Sequence, residues 1–176
     1  MTHTTRIGAL TATVLTCVGL LVVPAASAVE RVVNGPYAGT DFNTSVDSNL
    51  DGQPAGMMLA TGAGGAQLGV SSEWVYESGQ GCLAGYDLRF ALLQSAGVTT
   101  YSDRSQLFYF ADNGWLCLST TTGAFYGELS GVYTGGTGRF AGATGTYTTK
   151  FEGQNLDPAG TIRSIQGSSN GRITTP

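Results

Sequence analysis

The chain has 176 residues, with 12 acidic and 8 basic side chains, a net charge of −4, 27 glycines, three cysteines and one histidine. An acidic chain whose only lysine is Lys150 is a poor match for nucleic acid or an anionic membrane surface, since both need a cationic face. The lone histidine, His3, falls in a leader-like segment, so a chain processed after that segment has no Ser-His-Asp or Cys-His nucleophile and no histidine-ligated zinc or copper.

That leader opens with Arg6, continues through the largely apolar stretch Ile7 to Val23, and ends in the small residues of Pro24-Ala-Ala-Ser-Ala28. This is the layout of a secretory signal peptide, residues 1–28, cleaved after Ala28. The apolar stretch is broken by Gly8, Gly19 and several threonines, which weakens it as a membrane span of about 20 residues. Cys17 follows Thr16 and is succeeded by more apolar sequence, an unsuitable setting for a lipid anchor. Cleavage leaves 148 residues, the size of one domain, with seven basic and twelve acidic groups. The expectation is a secreted, extracellular protein that contacts no membrane once the signal is removed.

Residues 29–55 mix Asn, Asp, Gly and Pro and read as an irregular lead-in, followed by a β-domain over 56–176. Within the lead-in, Asp47, Asn49, Asp51 and Gly52 match the core of a calcium loop, but its twelfth position holds Met58 instead of Glu. A solvated, Asx-rich loop fits better, and no metal is expected.

Beyond it, eight strand candidates follow one another: Met57–Thr61, Gln67–Tyr76, Tyr86–Gln94, Ser105–Phe110, Trp115–Thr121, Phe125–Thr134, Gly145–Glu152 and Gly160–Gln166. Several alternate with period two. Tyr147, Thr149 and Phe151 oppose Thr146, Thr148 and Lys150, as a half-buried strand requires. Gly62–Ala66, Ser95-Ala-Gly97, Asp112-Asn-Gly114, Thr122-Gly123 and Asp157-Pro158 read as turns, with Asn113-Gly114 a hairpin signal. No long amphipathic helix is present. The fold class predicted is all-β, a single antiparallel barrel or sandwich of about eight strands, and a closed barrel also removes the exposed strand edges. In an oxidising compartment Cys82 and Cys117 would pair as a disulfide closing a loop of about 35 residues.

The densest glycine segment, Gly131 to Tyr147, contains Gly136-Thr-Gly138-Arg-Phe-Ala141, formally a dinucleotide fingerprint. Its required helix is missing, because Gly145-Thr-Tyr-Thr-Thr reads as a strand, so no pyrophosphate site and no cofactor are expected. The segment reads as a barrel corner. Gly135 and Gly136 turn the chain, Phe140 plugs the barrel end, Gly138 belongs to the same turn, and Gly142 and Gly145 permit a bulge. Arg139 is expected to pair with Glu128 or Glu152, or to cap turn carbonyls.

Thr134-Gly-Gly-Thr-Gly-Arg-Phe-Ala-Gly-Ala-Thr-Gly145, flanked by strands, resembles the signature of the allene oxide cyclase and dirigent-like barrel superfamily. The resemblance covers about a dozen residues closely and roughly Gly81 to Gln166 by pattern. It implies an eight-stranded antiparallel barrel, a homo-oligomer, and a largely apolar cavity in which enzymatic members guide cyclisation by shape. No catalytic residue of that family maps onto a position here.

A cavity site would draw on polar groups carried by the strands. Arg89 and Glu128, the latter near Tyr126 and Tyr133, are the candidates for orienting a small ligand inside the barrel. Alternation more often turns charges outward, and it would put Glu73 and Glu77 on one face with Trp74 and Tyr76 on the other. Exposed Trp74, Trp115 or tyrosines could instead stack on sugar rings. The sequence reading is therefore a secreted barrel, noncatalytic or holding a small apolar molecule. A cyclase-like enzyme and an extracellular glycan-binding or interaction module are the alternatives.

Overall fold

The computed structural model describes residues 28–44, 47, 50, 52 and 54–176. The leader, with His3 and Cys17, lies outside them except for Ala28, as do Asn49 and Asp51. Eight antiparallel strands close into a barrel in simple up-and-down order, each pairing with its neighbour in sequence and the first with the last. They are β1 (Val29–Asn43), β2 (Gly56–Gly62), β3 (Gln67–Ser78), β4 (Leu88–Thr100), β5 (Gln106–Leu118), β6 (Ala124–Gly136), β7 (Thr144–Asn155) and β8 (Ile162–Thr175). The all-β, eight-stranded expectation holds, although the strands are not the eight expected.

Two sequence readings fail in compensating directions. Residues 29–43 are not a lead-in but β1, which pairs with β8 from Val29↔Thr175 to Phe42↔Ile162. Pro36 and the neighbouring glycines hid it. The structure tolerates Pro36 because pairing with β2 starts only at Tyr37↔Gly62, so the preceding stretch of β1 is a one-sided edge that has no use for the missing N–H. The domain thus begins at 29, not 56. Conversely, Asn113-Gly114 is not a hairpin. It lies inside β5, where the register shifts between Ala111 and Asn113, so the extra residue is taken up as a bulge. Asn113 there donates its side-chain amide to Ser130 Oγ at 3.0 Å.

Ser95-Ala96-Gly97 likewise runs through β4 instead of turning. Thr122-Gly123 and Asp157-Pro158 do fall between strands. On β7 the expected alternation is realised: Tyr147, Thr149 and Phe151 face inward, while Thr146 and Lys150 are exposed.

The core lies in the barrel interior and is built from Tyr37, Leu92, Leu107, Phe125, Leu129, Tyr133, Tyr147, Phe151 and Ile173. Large rings fit because glycines stand beneath them. A Cβ on Gly97 would come within 2.5 Å of the Tyr109 ring, and one on Gly127 would strike Phe151 as closely. At one barrel end Thr137–Ala143 forms the β6–β7 turn. Gly138 takes a left-handed φ of 57° there, and Phe140 is buried against Tyr101, ring centroids 4.9 Å apart. Gly135 and Gly136 prove to be the last residues of β6, so the turn begins two residues later than expected, while Gly142 and Gly145 adopt positive φ on its far side. Arg139 pairs with Asp103 at 3.3 Å, not with Glu128 or Glu152, and lies over the Tyr101 and Phe140 rings. Its place in the corner turn puts it beside the β4–β5 loop instead of the strand carboxylates.

At the other end Cys82 and Cys117 form a disulfide with a Cα–Cα distance of 5.8 Å. It fastens the β3–β4 loop to β5. Asp87 adds a second clamp, accepting bonds from the Thr120 backbone N–H at 2.7 Å and its hydroxyl at 2.5 Å. In the β1–β2 connection, Gly52 donates its N–H to Asp47 Oδ2 at 2.7 Å, the local bond of an Asx-rich loop.

Candidate functional site

The lumen is hollow. It holds a partly open cavity of about 180 Å³ whose wall is mostly apolar and aromatic, with Val70, Leu68, Trp74, Leu116, Phe125 and Leu129 among its residues. Drug-sized pockets run to about 300–1,000 Å³, and an apolar cavity of about 150 Å³ takes a single benzene-sized ring. The space therefore suits one small ring with a short substituent and excludes an oligosaccharide.

Several polar groups of the lumen are paired. Thr149 donates to the Ser168 carbonyl at 3.2 Å, which makes Tyr37 the donor in its 3.1 Å bond to Thr149. Ser72 and Ser95 bond hydroxyl to hydroxyl at 2.9 Å. Asp41, facing inward on β1, is paired across the strands with Arg163 at 3.1 Å, and Arg163 also donates to Asn43. Burial pushes the Asp41 carboxyl above its ordinary value, and the Arg163 charge and the Phe42 backbone only partly counter it.

Two hydroxyls are left over. Those of Tyr109 and Tyr147 are buried and meet no hydrogen-bond partner. Their rings pack edge to face with centroids 5.6 Å apart, and Tyr133 lies against Tyr147 at 5.2 Å. Burial raises the pKa of both phenols strongly. The Thr99 side chain beside Tyr109 opposes this slightly, though it lies outside hydrogen-bonding geometry, and the surrounding tyrosines add to it. Burial likewise pushes Tyr133 up to about 12. These phenols stay protonated across the whole physiological range.

Of the four ligand-binding candidates from the sequence, only Tyr133 lines this cavity. Arg89, Glu128 and Tyr126 stand on the outer surface. Arg89 binds Glu77 at 3.0 Å and lies 5.3 Å over the Trp115 ring. Glu128 pairs with Lys150 at 3.6 Å on the adjoining strand. Tyr126 packs edge-on against Trp115 and Tyr86 and accepts the Leu83 N–H at 2.8 Å. The cause is strand alternation: Phe125, Leu129 and Tyr133 take the inner face of β6, leaving 126 and 128 outside. Trp74, offered as a surface sugar platform, is instead an inner-wall residue packed against Phe151 at 6.1 Å.

Glu73 also departs from the outward reading. It is 1 % exposed and accepts the Gln94 amide at 2.8 Å, while Glu77 remains at the surface. Leu68, Val70, Ser72 and Trp74 line the lumen, so Glu73 keeps the face opposite Trp74 as alternation requires, but it is buried there; the register shift beside it places the extra residue, Leu93, in β4. The sequence offered no signal for the lumen's Asp41, Tyr37 or Tyr109, because one lies in the missed strand's most irregular part and the others resemble any core aromatic.

Among the described residues no group of three or more His, Cys, Asp or Glu side chains is placed to hold a metal. No protein-family model, curated protein or solved structure matches the chain.

Proposed function

We propose that this is a secreted barrel that holds one small, mostly apolar molecule in its lumen. The observation that carries the reading is the partly open, aromatic-walled cavity of about 180 Å³ in a barrel of this size, where side chains are able to fill the interior completely and do not. Secretion is supported by the leader-like residues 1–28 and by the Cys82–Cys117 disulfide, which suits an oxidising compartment. A lipid-embedded barrel is disfavoured by the charged outer side chains of β6–β8, Glu128, Lys150, Glu152 and Arg172, which lipid would have to cover.

The test uses Trp115→Phe, which leaves Trp74 in the lumen wall as the single reporter. Saturable quenching of Trp74 by small aromatic hydrocarbons, abolished by the lumen-filling change Val70→Phe while the melt stays cooperative, is the expected result. No saturable response below millimolar ligand sinks the proposal, and a saccharide response seen in wild type but lost in Trp115→Phe moves the site to the outer face.

A second reading, cyclisation within the same lumen, is favoured by one observation: Asp41 presents a carboxylate to the cavity. Under that reading Asp41→Asn abolishes turnover while leaving binding intact. Equal loss of both removes it.

A further inference from the structure

The proposed lumen site has a polar pole that its apolar wall does not explain. Tyr109 and Tyr147 stand on β5 and β7, the two neighbours of β6, where their rings touch and both hydroxyls lack a partner. Tyr147 is 6 % exposed, so water outside the barrel does not serve it. A buried hydroxyl with no hydrogen bond costs about 1–3 kcal/mol, and native interiors seldom retain two side by side without use. Phenylalanine would fill the same volume on either strand at no such cost.

Which group they await follows from phenol chemistry. A phenol oxygen shares its lone pair with the ring, so it donates a hydrogen bond more strongly than it accepts one. Among the described groups of the lumen, Tyr37 is already paired with Thr149 and Ser72 with Ser95, and the Asp41 carboxylate is held by Arg163. The unmet capacity is therefore donor capacity. Because burial keeps these phenols protonated, the capacity persists at any physiological pH.

We infer that the lumen ligand carries a carbonyl oxygen, that of a small ketone, aldehyde or ester, received by the hydroxyls of Tyr109 and Tyr147. The inference rests on the lumen being a binding site and specifies the class of molecule it takes. An isosteric hydrocarbon leaves both donors unmet and is discriminated against, as sites built to bond a polar group reject analogues lacking it.

The probes are acetophenone and α-methylstyrene, which share a shape and differ in C=O against C=CH₂. Wild-type protein is expected to bind acetophenone about tenfold more tightly than α-methylstyrene, as one or two added neutral hydrogen bonds provide. The carbonyl stretch of bound acetophenone is expected to fall to lower frequency. It should return toward its value in hydrocarbon solvent in Tyr109→Phe/Tyr147→Phe, with α-methylstyrene affinity equal or improved. Equal affinity of the two probes for wild type, or a carbonyl stretch unchanged by the double variant, overturns the carbonyl assignment while leaving lumen binding in place. Binding of neither probe overturns the lumen reading and the assignment with it. The infrared shift is read on wild type, so a variant that folds poorly does not block the decision.

Discussion

The ring of Tyr109 on β5 lies across Gly97 on β4, so closely that a methyl group on the glycine would sit 2.5 Å from its Cε2 atom. The glycine is thus what lets a donor tyrosine lie flat against the wall and leave the lumen open. Gly97→Ala is expected to drive Tyr109 inward, with an overpacking loss of about 1–3 kcal/mol and weaker ligand uptake. Urea unfolding measures the first and Trp74 quenching the second. Unchanged stability together with unchanged uptake would show that the ring shifts freely.

Glu73 tests whether a buried carboxylate on β3, opposite the β4 bulge at Leu93, supports the fold. Removing it in Glu73→Ala takes away the acceptor of the Gln94 amide and is expected to cost about 1–3 kcal/mol in urea unfolding. Glu73→Gln retains an acceptor oxygen and should lose less. The reverse order would mean that volume, not the hydrogen bond, is what the bulge requires.

Asp41 gives a pH dependence whose sign can be worked out. Its carboxyl is raised in the folded state, so between the ordinary carboxylate value of 3.8 and the higher folded value the native chain binds more protons than the unfolded one. Stability from this group therefore falls as pH rises through that window and grows as pH drops. The stability difference between wild type and Asp41→Asn, followed by thermal melts from pH 6 to pH 4, should shift in favour of wild type on acidification. Asp87, Asp103 and Asp157 act oppositely. Each is lowered by hydrogen bonds, first from Thr120, Ser105 and Ile162 respectively, so their contribution is present above 3.8 and lost as pH falls through their folded values. A wild-type advantage over Asp41→Asn that shrinks toward pH 4 would contradict the assignment.

The Cys82–Cys117 bridge spans 35 residues and should contribute about 3–4 kcal/mol by restricting the unfolded chain. Cys82→Ala/Cys117→Ala is expected to lower the urea midpoint accordingly, with the barrel otherwise retained. A loss well under 1 kcal/mol would show that the Asp87–Thr120 clamp already holds this end closed.

The fold was legible in the sequence because its signals are local: period-two alternation on β7, turn residues at Thr122-Gly123 and Asp157-Pro158, and a cysteine pair in an otherwise cysteine-poor domain. The site was not, because its residues are assembled by closure. Pro36 and Gly39 break the pattern of β1, yet that strand places Tyr37 and Asp41 in the lumen. Bulges at Leu93 in β4 and beside Asn113 in β5 reverse which side chains face inward, and a bulge such as that of Asn113-Gly114 has the same glycine and asparagine vocabulary as a turn. Arg89 and Glu128 drew notice as charges on aromatic strands. Their partners, Glu77 and Lys150, lie on the outer face, where charge is cheapest to keep.

The pairing of β1 with β8 carries a consequence for how the molecule comes into being. Every other strand bonds to the one made just before it, but the seam is sealed between Val29 and Thr175, the most distant partners in the sheet. Seven strands alone leave two open edges and an unroofed aromatic interior, so partial chains gain little from folding early. A chain emerging or crossing a membrane amino end first must therefore wait for its final strand. The ligand chamber then appears in one step, with the last turn of the ring.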